Sequence, residues 1–439
     1  MKIYRLILAA IILAALMGAY YRSEHRKSEP EPVSAAAKPP AILTLKEAEI
    51  SQITLKKRSA EEVVLARDSS GKWQITAPKP MEADQGAVSG MLSTASSLTA
   101  DRLIEDKTTD WKPYGLAEPE LEADITAQGK TQKLLIGDST PTGNAVYARL
   151  DGDPRVFTIA SYAKSSFDKG VNDLRDKRLL TVTADNLTRL EISTKKQQIE
   201  FGRNKDQWQI VKPTPARADA TQVDELVRAL TDARMDASES DNAKKNAAAF
   251  ASATPAGTAK VTDQSGTQEL QVRKSKDGYL AKSSMVEGVY KVPSTLGQAL
   301  DKTPDDFRNK KLFDFGFTDP NKIEIHDGMK AYFLTRSGDD WWSGDSKKMD
   351  PAGVQSLVDK LRDLSAAKFV DTGFTSPALD LTVTSNDNKR VEKVQISRTG
   401  DRYIARRESE PALYELDARG VDELRKTAEE MKPVGTAKQ

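Results

Sequence analysis

The sequence predicts an α+β protein of three tandem modules, each an antiparallel sheet with two helices, after one N-terminal transmembrane helix. Three recurrences predict it. Trp73, Trp208 and Trp341 stand 135 and 133 residues apart, each on a short strand ahead of a helix with one apolar face. A late tyrosine hairpin follows in every copy, with Tyr147, Tyr279 and Tyr403 at matching places, and Phe157, Tyr290 and Tyr414 likewise. The stretch Leu174-Arg175-Asp176-Lys177-Arg178-Leu179-Leu180 returns as Phe307-Arg308-Asn309-Lys310-Lys311-Leu312-Phe313, offset by 133 throughout.

Residues 1–21 pass from a basic start, Lys2 and Arg5, into an apolar run that ends at Tyr20 and Tyr21. A spanning helix needs about 20 apolar residues, Arg5 can snorkel, and the tyrosines sit where an interfacial belt falls. A cleaved signal peptide needs small residues at its cleavage site, and Met17 with Ala19 makes a poor one. An uncleaved anchor is therefore preferred. Arg22, Arg26 and Lys27 oppose Lys2 and Arg5, so charge does not set the orientation. A short tail before a large body places the body outside the cytoplasm. Residues 22–41 are a Pro/Ala-rich linker, extended at about 3.1 Å per residue.

The first module spans 42–180. Strands around Ile53 and Val64 precede an Asp68-Ser69-Ser70-Gly71 turn into the Trp73 strand. Asp84 caps a helix whose Val88, Met91, Leu92 and Ala95 share one face. Four alternating strands and a short helix, Ser161 to Val171, close the unit. The second module, 181–313, repeats this order with a helix from Asp219. The third, 314–432, does so with helices from Asp350 and over Val421 to Met431, and 433–439 read as a disordered tail.

Periodic aromatics are usually core, so Trp73, Trp208, Trp341, Tyr147, Tyr279 and Tyr403 are assigned to packing, with a ligand-stacking platform as the rarer reading. The junction cations Arg175, Lys177, Arg178, Arg308, Lys310 and Lys311 either pin modules together or form an interaction surface for anionic lipid or polysaccharide.

Composition narrows the chemistry. With 66 basic against 65 acidic residues in 439, there is no electrostatic footprint for nucleic acid. No cysteine exists, which removes thiol nucleophiles, cysteine-zinc sites and iron–sulfur clusters. His25 and His326 are the only histidines, too few for a multi-histidine metal site. No phosphate-cradling loop or dinucleotide fingerprint appears. The acidic residues around Trp341-Trp342 and Asp327 lack calcium-loop spacing and read as solvated turns. No catalytic residue, cofactor or metal is assigned.

The recurring pattern resembles a bacterial family known only as domain of unknown function 4340. The anchor carries the likeness, with Gly71-Lys72-Trp73-Gln74-Ile75, Asp206-Gln207-Trp208-Gln209-Ile210 and Tyr114-Gly115-Leu116 with Pro119. So do Ile136-Gly137-Asp138 with Val146-Tyr147-Ala148, and Leu174-Arg175-Asp176-Lys177. It covers most of the chain from Ile42. The third copy departs, with Trp342-Ser343 in place of the usual pair and no closing junction motif. Members look like inner-membrane-anchored extracytoplasmic proteins, often encoded beside ABC-type exporter components. The resemblance thus implies a single-pass periplasmic protein with an accessory role, transporter subunits as partners, and no catalytic residues to carry over.

Three functions are weighed. The first is a non-enzymatic scaffold or accessory protein of an ABC-type envelope transport system. The second is a binding module for envelope polysaccharide or lipid. The third is a hydrolase, which needs two carboxylates converging in a pocket.

Overall fold

The computed structural model describes residues 40–205, 207–235, 243–318 and 320–435. The expected anchor, the linker up to residue 39, Asp206 and residues 436–439 lie outside that set. Among the described residues no helix is long and apolar enough to cross a membrane. Two units divide the chain, Met1–Asp176 and Lys177–Gln439. The first holds one antiparallel sheet and the second holds two.

From edge to edge, the first sheet runs Met81–Glu82, Trp73–Ala77, Val63–Arg67, Ile50–Lys57, Leu121–Ala127, Lys130–Ser139, Ala145–Leu150, Val156–Ala160 and Arg102–Glu105. The second runs Ala216–Arg217, Gln207–Lys212, Gln198–Asn204, Arg189–Ser193, Thr254–Asp263, Gly266–Ser275, Gly278–Ser283 and Tyr290–Val292. The third runs Asp340–Ser343, Lys330–Ser337, Lys322–Asp327, Leu379–Ser385, Arg390–Thr399, Arg402–Arg407, Leu413–Leu416 and Ala366–Val370. The plan is shared. A tryptophan hairpin forms one edge, the module's first long strand pairs centrally with the strand that returns after the helix, and a meander reaches the far edge.

Alternation explains why each sheet turns one face to a main core. Leu121, Ala123, Ile125 and Ala127 are buried while Glu122, Asp124 and Thr126 between them are not, the pattern of an antiparallel sheet packed on one side. The main helices supply the cover. Val88, Met91, Leu92 and Ala95 bury on Gln85–Ser96, Val223, Leu226, Val227 and Leu230 on Ala220–Thr231, and Val354, Leu357, Val358 and Leu361 on Pro351–Asp363. That is one apolar stripe each. Each start is fixed by an aspartate cap. Asp84, Asp219 and Asp350 accept from the backbone N–H of Ala87, Gln222 and Gly353.

Three separate cores result, and each contains its tryptophan. Across the hairpin each of these core tryptophans faces an arginine: Arg67 opposite Trp73, Arg203 opposite Trp208, Arg336 opposite Trp341. In the first two the guanidinium lies 4.9 and 5.6 Å from the indole centroid, a cation–π lid over the buried ring.

Two expectations need correction. Tyr147 does not match Tyr279 and Tyr403. Ala148, Ala281 and Ala405 pair with Phe157, Tyr290 and Tyr414, so the true equivalent of Tyr279 and Tyr403 is Val146. A strand alternates its faces, so one residue of offset sends Tyr147 to the opposite side. There it joins Leu116, Leu135 and Val156 in a satellite cluster, while Tyr403 is core and Tyr279 packs against the core.

Two helices per module holds only for the third, with Pro351–Asp363 and Ala418–Glu430. In the first, the closing helix splits into Ser161–Phe167 and Val171–Leu174 at Gly170. In the second it splits into Ser294–Leu300 and Pro304–Phe307, where Thr303 and Asp306 form a capping box and Pro304 restarts the helix. The second module also carries Ala243–Ser252, whose Phe250 packs on Leu280 and Val289 on the second face of its sheet.

Candidate functional site at the module junctions

The junction peptides act first through their backbones. In the first unit Leu174 accepts from Asp84 N–H, and Arg175 bridges Ala83. In the second unit Phe307 accepts from Asp219 N–H, and Arg308 bridges Ala218. The third module has no basic junction, yet Lys432 accepts from Asp350 N–H and Pro433 bridges Met349. Pro433 thus stands where Arg175 and Arg308 stand. The clip ties the residues before each main helix to the end of the same module. A second clip ties the chain ahead of each sheet's first long strand to the end of that helix: Ala41 to Thr99, Arg178 to Arg234, Lys311 to Ser365. Pro40 and Ala41, expected in the linker, belong to this clip.

The six cations divide between the two units, Arg175 in the first and the other five in the second. Arg175, Lys177 and Arg178 are half-buried. Arg175 clips within the first unit, while Lys177 and Arg178 clip within the second. Arg308 lies 3.5 Å from the ring centroid of Phe369 and bonds Asp305 at 3.0 Å. The side chains of Lys310 and Lys311 are exposed, whereas their carbonyls accept from Ala366 N–H and from Arg217. Beside Arg308 opens a cleft of about 470 Å³ with Pro213, Pro215, Val370 and Pro411 in its wall.

The strongest electrostatics at this junction come from charged residues the sequence did not single out. Arg217 bonds both oxygens of Asp314, at 2.6 and 2.7 Å, and reaches Glu410 at 3.0 Å and the Tyr414 hydroxyl at 3.2 Å. Asp314 also accepts from Arg407 at 3.2 Å and from the Asn309 amide at 2.9 Å. Arg407 and Arg390 both hold Glu392, at 2.9 and 3.2 Å. The Tyr414 hydroxyl donates to Glu410 at 2.6 Å. Three arginines thus neutralise three carboxylates between the second and third modules.

Burial would raise the Asp314 pKa, but Arg217 and Arg407 outweigh it and hold the carboxyl below its ordinary range. Burial likewise works against the Arg217 charge, and Asp314 and Glu410 overcome it. Tyr414 is pushed up to about 12, by burial first and then by its bond to Glu410. A carboxyl held ionised in this way serves as a charge partner, the opposite of a general acid.

The family-like glycines of the first module prove to be one interlock. A Cβ on Gly137 would lie 2.2 Å from the Tyr114 carbonyl oxygen. Gly115 adopts φ 66°, and a Cβ there would lie 2.4 Å from Asp138 Oδ1. The Lys112–Tyr114 turn therefore seats directly on the bulged strand Lys130–Ser139. Tyr114 donates to Glu105 at 2.6 Å and meets Tyr147 edge-on, and Arg149 covers Trp111 at 4.2 Å. Among the described residues no group of three acidic or histidine side chains could hold a metal ion.

A family model described as Domain of unknown function (DUF4340) matches residues 73–210 and again 208–382. Both matches open on a tryptophan strand; the first ends on the next tryptophan strand, and the second runs past Trp341 into the strand Leu379–Ser385 of the third sheet. No curated protein matches the chain, and no solved structure does.

Proposed function

Since the chain belongs to the DUF4340 family, we propose that it is a non-enzymatic scaffold of an ABC-type envelope transport system, held at the bacterial inner membrane by its N-terminal segment with its bulk in the periplasm. The membrane reading rests on the apolar run that ends at Tyr20 and Tyr21. The transporter reading rests on the family likeness.

The observation that carries a scaffold rather than a catalyst is the Arg217 cluster. It stiffens the contact between two modules instead of leaving a carboxylate free to move protons. A stiff two-module body offers wide surface for partners, and a linker gives it reach. The test is purification of the full chain from cross-linked membranes, together with reporter fusions at the C-terminus. Transporter subunits are recovered and the reporter reads periplasmic. Repeated recovery of no transporter subunit, or a cytoplasmic reporter, rejects the proposal.

A further inference from the structure

On the open face of the third sheet, His326, Phe333 and Trp342 step diagonally across three adjacent strands. Glu324 pairs with Phe333, and Thr335 pairs with Trp342, so all three rings point to the same side. His326 stands edge-on to Phe333, centroids 5.3 Å apart and planes at 82°. Phe333 and Trp342 remain 42% and 38% exposed, outside the module's core.

The repeat provides an internal control. By hairpin register, Trp342 occupies the place of Gln74 and Gln209. Phe333 occupies that of Val64 and Glu200, and His326 that of Lys56 and Ser193. The shared fold therefore does not need aromatics at these positions. Exposed rings that folding does not require, gathered on one face, mark a contact surface.

The same face continues into hydrogen-bonding groups. His326 is opposite Asp380, and Glu324 is opposite Thr382. Asp380 accepts from Gln395 at 2.8 Å, and the Gln395 oxygen accepts from Arg406 at 2.6 and 2.9 Å. A groove of about 610 Å³ runs here, with Asp380, Thr382, Lys393, Gln395 and Arg406 in its lining. From the Trp342 strand to the Arg406 strand is five strand spacings, about 24 Å.

Rings beside planar amide, carboxylate and guanidinium groups fit one ligand chemistry. A sugar presents C–H faces to the negative face of an aromatic ring and hydroxyls to such side chains. Lys322 pairs with Glu324, Lys393 pairs with Glu408 at 3.2 Å, and Asp380 offsets Arg406, so the face has no excess positive charge for an anionic headgroup. Its apolar part is a narrow row bordered by charge, unlike the apolar centre of a protein interface.

We propose that the open face of the third sheet binds a neutral oligosaccharide that stacks on Trp342 and Phe333 and hydrogen-bonds along the Asp380–Gln395–Arg406 row. One end of the groove, at Arg407, Glu410 and Pro411, reaches the junction cluster, but the proposal does not depend on the transporter reading. The test is calorimetric titration of the full chain in detergent with hexamers of β-1,4-linked glucose and of β-1,4-linked N-acetylglucosamine. At least one binds. Trp342→Gln and Phe333→Glu install the residues of the second module, keep the thermal transition, and weaken binding by roughly tenfold or more, as loss of a stacked ring should. No binding of either hexamer, or binding unchanged in a folded Trp342→Gln variant, overturns the proposal. Loss of self-association in that variant, without hexamer binding, makes the face a protein contact and overturns it equally.

Discussion

Arg217 of the second module grips Asp314 of the third through both carboxylate oxygens, at 2.6 and 2.7 Å. The same guanidinium reaches the Lys311 carbonyl at 2.6 Å, so one side chain ties a hairpin edge, a junction peptide and the next sheet together. The equivalent positions in the other modules are Glu82 and Lys348, each just before its clip residue. The repeat therefore supplies the geometry of the junction, and single substitutions within it decide what each copy is joined to.

Arg217→Ala should loosen the second module from the third while leaving the first unit untouched. Without Arg217, Asp314 and Glu410 share Arg407 in a half-buried site, so the loss should stay below the roughly 3–5 kcal/mol of a buried charge left with no partner. Urea unfolding should lose its single transition for residues 177–439, and proteolysis should appear near residues 308–314. An unchanged midpoint would show the network to be screened surface charge.

Two groups of this cluster, Asp314 and Tyr414, give opposite pH limbs. The folded pKa of Asp314 lies below its unfolded value of about 3.9, so its stabilisation is complete above that value and is lost as pH falls through the folded pKa. Tyr414 titrates at about 12 in the folded chain, against about 10 when unfolded. Its stabilisation is complete below about 10 and disappears as pH rises towards 12. Asp314→Asn should flatten the acid limb of a stability–pH curve, and Tyr414→Phe the alkaline limb. Tyr114 is also pushed up to about 12, chiefly by its bond to Glu105. Tyr114→Phe therefore separates the contribution of the first module.

Local and periodic features were legible in the sequence. The aspartate caps, the helix stripes and the buried tryptophans follow from spacing alone, because each depends on neighbours within a few residues. Two things were not. The Tyr147 offset was hidden because Tyr-Ala-Arg matches Tyr-Leu-Ala-Lys and Tyr-Ile-Ala-Arg equally well from the tyrosine; only the Ala-basic pairs Ala148-Arg149, Ala281-Lys282 and Ala405-Arg406 carry the true register. The Arg217 network joins positions up to 197 residues apart, and a lone arginine on a strand looks like any solvated charge.

Two glycines of the first module predict alanine substitutions of opposite sign. Gly137→Ala sets a methyl 2.2 Å from the Tyr114 carbonyl, and backbone must move, so about 1–3 kcal/mol should be lost. Gly90 sits on the exposed side of Gln85–Ser96 with nothing within 4 Å of a new Cβ. Gly90→Ala should therefore gain up to about 1 kcal/mol from helix propensity. Thermal midpoints of the two variants should move in opposite directions.

Trp341 and Trp342 are neighbours in sequence with opposite surroundings, and they test the division between core and surface most directly. Trp341 faces the helix, 8% exposed within the core; Trp342 faces out, opposite Thr335. Strand alternation alone sets this difference. Trp341→Ala should cost about 3–5 kcal/mol, as for other buried aromatics. Trp342→Ala should change stability by no more than about 0.5 kcal/mol, since it removes no core contact. Denaturant titration of both variants decides the matter. A large loss at Trp342 would return its ring to the packing of the third module and remove it from any binding surface.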